Sequence, residues 1–126
     1  MPASMAIMKV FEKLLAWQAC HKLVIAVHHI TSTWPNEEKF GLTSQARRAA
    51  FSAAANIVEG TAKRGFRERR RFLDHSLGSL SELCYIIRLA HELEILSDEA
   101  ALELESLRDE AGKLTWGLYS HAKKNS

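Results

Sequence analysis

Apolar side chains recur along this chain at alternating steps of three and four residues, the spacing of one helical face. Trp17, Cys20, Val24, Val27 and Thr31 form the first such stripe, widened by Leu14 and Leu23, and predict a helix over about 11–33. Trp34-Pro35-Asn36 ends it, because the residue before a proline is pushed out of the helical region. Residues 35–42 then form a connection in which Gly41 allows the chain to turn. A second helix follows over about 43–62, with Thr43 or Ser44 as its cap. It has two apolar sides. Ala46, Ala49, Ala50, Ala53 and Ile57 occupy one narrow arc of small residues, and Phe51, Ala54 and Val58 form a strip elsewhere. Such a helix is either central to its domain or shared with another subunit. A short four-helix domain has no interior helix, so sharing is the expectation.

Lys63-Arg64-Gly65 reads as a stop, with basic groups complementing the helix dipole and glycine permitting a left-handed cap. The third helix, about 66–93, carries a stripe of Leu73, Ser76, Leu77, Leu80, Leu83, Cys84 and Ile87. Gly78 lies in its middle, at a cost of about 1 kcal/mol relative to alanine, which points to close approach of another helix. Tyr85 and Leu89 share the Gly78 side. Phe51, Val58, Gly78, Tyr85 and Leu89 are therefore the candidate subunit contact. Ser97 caps a fourth helix over about 98–121, with Asp98 and Glu99 in its first turn and Ala100, Leu104, Leu107, Ala111, Leu114 and Leu118 on heptad-like spacing. Lys123-Lys124 reads as a solvated tail, and Met1–Met8, without periodicity, as a frayed or loosely docked segment. These elements predict an all-α fold, one antiparallel up-down-up-down four-helix bundle over residues 1–126.

Composition agrees with that reading: of 126 residues, 47% are hydrophobic and only 2 are proline. The formal net charge of +2 is too small to imply a polyanionic partner, but its distribution is uneven. Residues 47–71 hold eight Lys/Arg against Glu59 and Glu68, a balance of +6, and residues 92–110 hold eight Asp/Glu against Arg108, a balance of −7. A molecule so divided can bind polyanions or its own copies. No signal peptide is evident, and the longest uncharged run, Leu23–Asn36, is too short and polar to span a bilayer. A cytoplasmic address is expected.

Three groups of residues could carry chemistry. The six histidines lack the Glu-x-x-His pairs of a di-iron bundle; the residues three before them are Gln18, Ile25, Ala26, Phe72, Arg88 and Leu118. HExxH is absent too, and Cys20 and Cys84 sit on apolar stripes without ligand spacing, as reduced core thiols. No metal and no cofactor are expected. Arg48, Ser52, Asn56 and Glu59 form a polar line beside the alanine arc, with Ser79 and Glu82 as partners on the third helix. They read as a structural polar layer or, less favoured, as a ligand site; no nucleophile–base spacing accompanies them, so no enzyme is expected. The last group is the basic cluster Lys63, Arg64, Arg67, Arg69, Arg70 and Arg71. It could contact nucleic-acid phosphates, or be a solvated face pairing with the acidic 92–110 region of the same or a neighbouring subunit. No aromatic platform for base stacking accompanies it beyond Phe66 and Phe72.

The segments LLAWQACHKL, FGLTSQARRAAFSAAANIVEG and RRFLDHSLGSLSEL resemble the 23S rRNA-intervening sequence proteins, over about residues 11–93. The family's pattern carries over at Gln45, Arg47, Arg48, Ser52, Asn56, Glu59, Gly60, Phe72, Leu73, Gly78, Ser79 and Glu82. It departs at Ala54, where such proteins usually have a proline and hence a kinked helix. The resemblance implies a four-helix protomer that assembles into a ring, commonly a pentamer, without enzymatic activity. Related bundles accompany the reverse transcriptases of diversity-generating retroelements and are taken to bind nucleic acid and the polymerase. The combined expectation is an accessory protein binding RNA or DNA backbone, or else a protein-interaction scaffold, for example for a reverse transcriptase.

Overall fold

The structure is a computed structural model describing residues 9–38 and 41–126. Helix α1 spans Leu15–Thr31, α2 Leu42–Thr61, α3 Phe66–Glu92 and α4 Asp98–Lys124, with short 3-10 turns at Val10–Lys13 and Asn36–Glu38. The described residues contain no strand. Each helix touches its two neighbours in the order α1, α2, α3, α4 and back to α1, and the diagonal pairs do not meet. Arg48 meets Glu82, Ser52 meets Ser79 and Ala53 meets Ser76, so numbers rise along α2 as they fall along α3. The same holds for α3 and α4, from His91 beside Asp98 to Arg70 beside Ser126. Consecutive helices thus run in opposite directions.

The core follows the predicted stripes with a shift in places. Cys20, Leu23, Val27 and Thr31 are buried on α1, but Ala16 rather than Trp17 continues the face. Trp17 is half-buried and stacks on His21, ring centroids 4.7 Å apart. On α2 the alanine arc and Ile57 are buried, and Ala54 joins them instead of lying on an outer strip with Phe51 and Val58. Alanine at these positions lets α1 and α3 approach the α2 backbone closely, and Ser76 donates to the Ala53 carbonyl at 2.5 Å through that gap. On α3, Ile86 and Ala90 are buried where Leu77 and Cys84 are only partly so, and on α4 Thr115 is fully enclosed against Cys20.

Two predicted caps are corrected. The α2 N-cap is Gly41, not Thr43 or Ser44; Thr43 is buried inside the first turn, and the Glu38 carboxylate accepts the Leu42 N–H at 3.3 Å. Gly65 has φ −107° and ψ 152°, so it is the extended N-cap of α3 and not a left-handed cap of α2. The left-handed residue is Glu94, φ 62°, after α3. There the Ile95 N–H reaches the Ala90 carbonyl at 2.9 Å and the Glu94 N–H the His91 carbonyl at 3.0 Å, the paired bonds of a Schellman ending. Helix α2 runs unbroken through Ala54, where the family's usual proline would sit. The expectations for Met1–Met8, and for Lys39 and Phe40 in the first connection, lie outside the described residues.

Candidate nucleic-acid interface

Antiparallel neighbours bring the start of α3, the end of α2 and the end of α4 to one end of the bundle. Phe66, at the first turn of α3, holds them together: its ring meets the His121 ring of α4 edge-on at 5.4 Å. The Arg69 guanidinium lies over the Phe66 ring at 5.5 Å, and its Nε donates to the Lys63 carbonyl at 2.9 Å. Arg69 therefore serves the turn. Lys63 and Arg71 both approach the Phe72 ring, at 5.1 and 5.4 Å from its centroid, and Arg71 also pairs with Glu68 at 3.5 Å. Arg70 donates to Ser126 Oγ at 3.3 Å. Arg64 and Arg67 are exposed and make no side-chain hydrogen bond or ion pair among the described residues. Of six predicted cations, one is committed to the fold, and Glu68 is the only carboxylate any of them meets among the described residues.

Lys123 and Lys124 reach the same end, as do Lys9 and Lys13 ahead of α1, whose neighbours Val10 and Leu14 share a small apolar pocket with Phe66 and His121. Sequence order hid this gathering, because the added lysines come from the two ends of the described chain. The acidic block lies at the other end and along outer α4. A helix the length of α3 is about 40 Å long, many times the screening length of about 8 Å at physiological salt. That length separates the ends of the blocks; Asp109 and Glu110 lie nearer, midway along α4, yet among the described residues no carboxylate of 92–110 pairs with a cation of 63–71, so the expected pairing within one protomer is not seen. Four of the eight acidic residues find local partners: Arg88 with Glu92 at 3.1 Å, His91 with Asp98 at 2.6 Å, Arg108 with Glu105 and Lys113 with Asp109 at 3.3 Å. The bond to Glu105 raises the Arg108 pKa further above its ordinary value.

The polar line forms a layer between α2 and α3, with one absentee. Asn56 Nδ2 donates to the Ser52 carbonyl at 2.8 Å and Oγ at 3.1 Å, Ser79 Oγ bonds Ser52 Oγ at 2.8 Å, and Arg48 bridges Glu82 and Gln45. Glu59 is exposed and makes no side-chain hydrogen bond or ion pair among the described residues. Arg47, one residue before Arg48 and outside the layer, crosses to α1 and donates to Thr31 Oγ1 at 2.9 Å.

The candidate subunit contact resolves into two patches. At 100° per residue, Phe51 and Val58 lie on the α1 side of α2, with Arg47, while Gly78, Tyr85 and Leu89 lie on outer α3. The polar layer separates them. Phe51 is 64% and Tyr85 63% exposed, and Val58 and Leu89 are half-covered. A Cβ built at Gly78 meets nothing within 4 Å, so the close helix approach expected there does not occur within the protomer. Trp116, 57% exposed on outer α4, was missed because it lies on the side of the helix away from the heptad-like stripe.

Cys20 is enclosed, its Sγ 3.8 Å from Thr115 Oγ1, and burial pushes its pKa from 9.0 up to about 11. Cys84 is half-buried, 3.7 Å from the Glu105 carboxylate, and both thiols are free. Among the described residues no three His, Cys, Asp or Glu side chains cluster closely enough to hold a metal ion, and no helix is long and apolar enough to cross a membrane.

The chain's fold is similar to a solved structure, a protein of unknown function of the S23 ribosomal protein family from Bacteroides thetaiotaomicron. That likeness has a TM-score of 0.77 at 20% identity and covers 83% of this chain and 98% of the other. No curated protein matches the chain. The family model described as 23S rRNA-intervening sequence protein matches residues 12–117, nearly the whole bundle, including the fourth helix that the quoted motifs left out. With four helices in the predicted order and that match across them, the chain belongs to the 23S rRNA-intervening sequence protein family.

Proposed function

We propose that this protein is a non-enzymatic, cytoplasmic, oligomeric bundle that binds the backbone of RNA or DNA through its basic end. One observation carries the reading: cations from three separate stretches of chain converge on one end of the bundle, where Glu68 is the only carboxylate among the described residues that pairs with the 63–71 cluster. Guanidinium groups without an intramolecular partner among the described residues, Arg64 and Arg67, and those held only by an aromatic face or one exposed contact are suited to phosphate oxygens, whose neutralisation releases counterions. Self-association would multiply this end, offsetting a protomer charge of only +2. Two separated apolar patches, at Phe51/Val58 and at Gly78/Tyr85/Leu89, support a head-to-tail contact, the kind that closes into rings such as a pentamer. The test measures affinity for a structured RNA at low and moderate salt, with Arg67, Arg70 and Arg71 changed to Ala. Binding should weaken steeply with salt and with the substitutions. An affinity that the substitutions leave unchanged, or a monomer by ultracentrifugation at physiological ionic strength, overturns the reading.

The exposed Phe51 and Tyr85 favour a second reading, a scaffold for a protein partner such as a retroelement reverse transcriptase. In that case the arginines serve subunit contacts, and their loss dissociates the oligomer instead of releasing RNA. Light scattering on the same variants separates the two.

A further inference from the structure

We infer that the basic end takes single-stranded nucleic acid, with unpaired bases stacking on Trp116 and Tyr119 of α4 while the α3 arginines and α4 lysines hold the phosphates. This rests on the nucleic-acid reading above and specifies its substrate. Sequence order offered no aromatic platform there, because Trp116 and Tyr119 lie some fifty residues from the arginine cluster. The antiparallel α3–α4 pair closes that gap. Tyr119 lines one surface cleft of about 420 Å³ with Arg67, Arg70 and Arg71, and a second of about 670 Å³ with Trp116, Lys123 and Lys124. The two rings lie 5.3 Å apart at 32°, a tilted pair on one helix face. Beyond them Trp116 also borders an open groove of about 890 Å³ over Gly78 and Gly112.

Aromatic side chains elsewhere at this end are committed. Phe66 faces His121 and Arg69, and Phe72 carries Lys63 and Arg71 against its ring. Trp116 is different: it is 57% exposed and its one ring neighbour among the described residues is Tyr119. A large exposed indole that shares a cleft with Lys123 and Lys124, next to the tyrosine that lines the arginine cleft, suits a ligand that is at once anionic and planar. A paired duplex offers phosphates but keeps its base faces stacked, so it engages the lysines and arginines alone. Glu68 and Asp74 also line the arginine cleft. They repel a backbone passing over them, which leaves Arg67, Arg70, Lys123 and Lys124 as the phosphate contacts and the rings as the path between.

The test uses fluorescence anisotropy with a labelled twelve-nucleotide oligouridine and an RNA duplex of the same length, at one fixed salt concentration. The single strand should bind more tightly than the duplex. Trp116→Ala should weaken the single strand about tenfold or more while leaving the duplex unchanged, and Trp116→Phe should keep most of the affinity. Oligouridine should quench indole emission in the parent protein, and the quenching should be absent in Trp116→Phe. Because Trp116 is mostly exposed, circular dichroism should give the same melting curve for all three proteins. Equal affinity for both RNAs, with Trp116→Ala like the parent and Arg67→Ala/Arg70→Ala weakened, overturns the stacking inference and leaves the backbone reading standing. Binding unaffected by the arginine changes overturns both. A Trp116→Ala protein that loses its oligomeric state shows that the indole meets another copy, and overturns the inference as well.

Discussion

The two ends of this bundle are built from the same helices and are chemically opposite. At the acidic end half of the carboxylates of 92–110 are paired within the protomer, Glu92 with Arg88, Asp98 with His91, Glu105 with Arg108 and Asp109 with Lys113, while Ser97 caps α4 through the Ala100 N–H at 3.2 Å and Glu38 receives the Leu42 N–H. At the basic end, Arg64 and Arg67 have no partner among the described residues, and Lys63 and Arg71 rest against one aromatic ring. Charge that is locally paired explains itself by folding. Charge gathered from separate stretches and left open repels itself, and is retained for a reason outside the protomer. The difference places the functional question at one end.

The sharpest way to break this comparison is to change charge at each end in turn. Replacing Arg67, Arg70 and Arg71 by Ala should lower RNA affinity by about tenfold or more and flatten the salt dependence by roughly two units of slope. Replacing Glu92, Glu94 and Glu99 by Gln should leave both unchanged, since the acidic end lies several screening lengths away. A filter-binding titration across salt measures both. If the glutamine protein binds RNA more tightly by as much as the alanine protein loses, the ends are not independent and net charge alone governs binding.

Much of this arrangement was legible in the order of residues. The helix stripes follow from three-and-four spacing, and the Ser97 cap with Asp98 and Glu99 behind it is a local signal that the structure repeats. What the chain order hid is whatever depends on antiparallel pairing: Tyr119 lining a cleft with the α3 arginines, Trp116 bordering a groove over Gly78, and Arg47 reaching Thr31 instead of joining its neighbours on α2. The caps at Gly41 and Gly65 were misplaced for a different reason. Thr43 and Gly65 have the right composition for the expected roles, but burial of Thr43 and the extended backbone of Gly65 decided otherwise. Glu94 could not have been found, because glutamate gives no signal for a left-handed position.

The core that joins the ends supplies the next test, through Cys20. Its pKa of about 11, raised from 9.0 by burial, means that the folded state keeps the thiol protonated while the unfolded chain ionises. The stabilisation is therefore complete below pH 9 and is lost as pH rises from about 9 to about 11, at up to about 1.4 kcal/mol per pH unit. Lysines titrate in the same range, so the comparison is with Cys20→Ala, whose curve should fall less steeply. Denaturant unfolding at pH 8, 9, 10 and 11 measures the difference. Parallel curves would mean that the thiol is not shielded as the fold requires, and that the middle of the bundle is looser than either end.

At the acidic end a smaller effect should appear in stability and not in binding. Ser97→Ala removes the side-chain oxygen that accepts the Ala100 N–H and should cost about 1 kcal/mol of stability. Its RNA affinity should match the parent's at the same salt. Arg67→Ala should do the reverse, keeping the unfolding midpoint and losing affinity. Should Ser97→Ala lose RNA binding while remaining folded, the acidic end takes part in recognition and the division of labour fails.

Glu94→Gly should act in the opposite direction and by less. Glu94 occupies a left-handed conformation that costs a side-chain-bearing residue about 1–2 kcal/mol, and its carboxylate stands at the C-terminal end of α3, where negative charge is disfavoured. Glycine relieves both but returns some of the gain, since its unfolded backbone is freer by about 0.5–1 kcal/mol. A net stabilisation of about 0.5–1 kcal/mol remains. Urea midpoints resolve a change of that size, and RNA affinity measured alongside should not move. A destabilised Glu94→Gly protein would show that this carboxylate holds a contact the protomer does not contain, such as a basic group of a neighbouring copy. The acidic end would then be a docking face in its own right, and the contrast between a partly paired end and an open one would have to be redrawn as two open ends that meet.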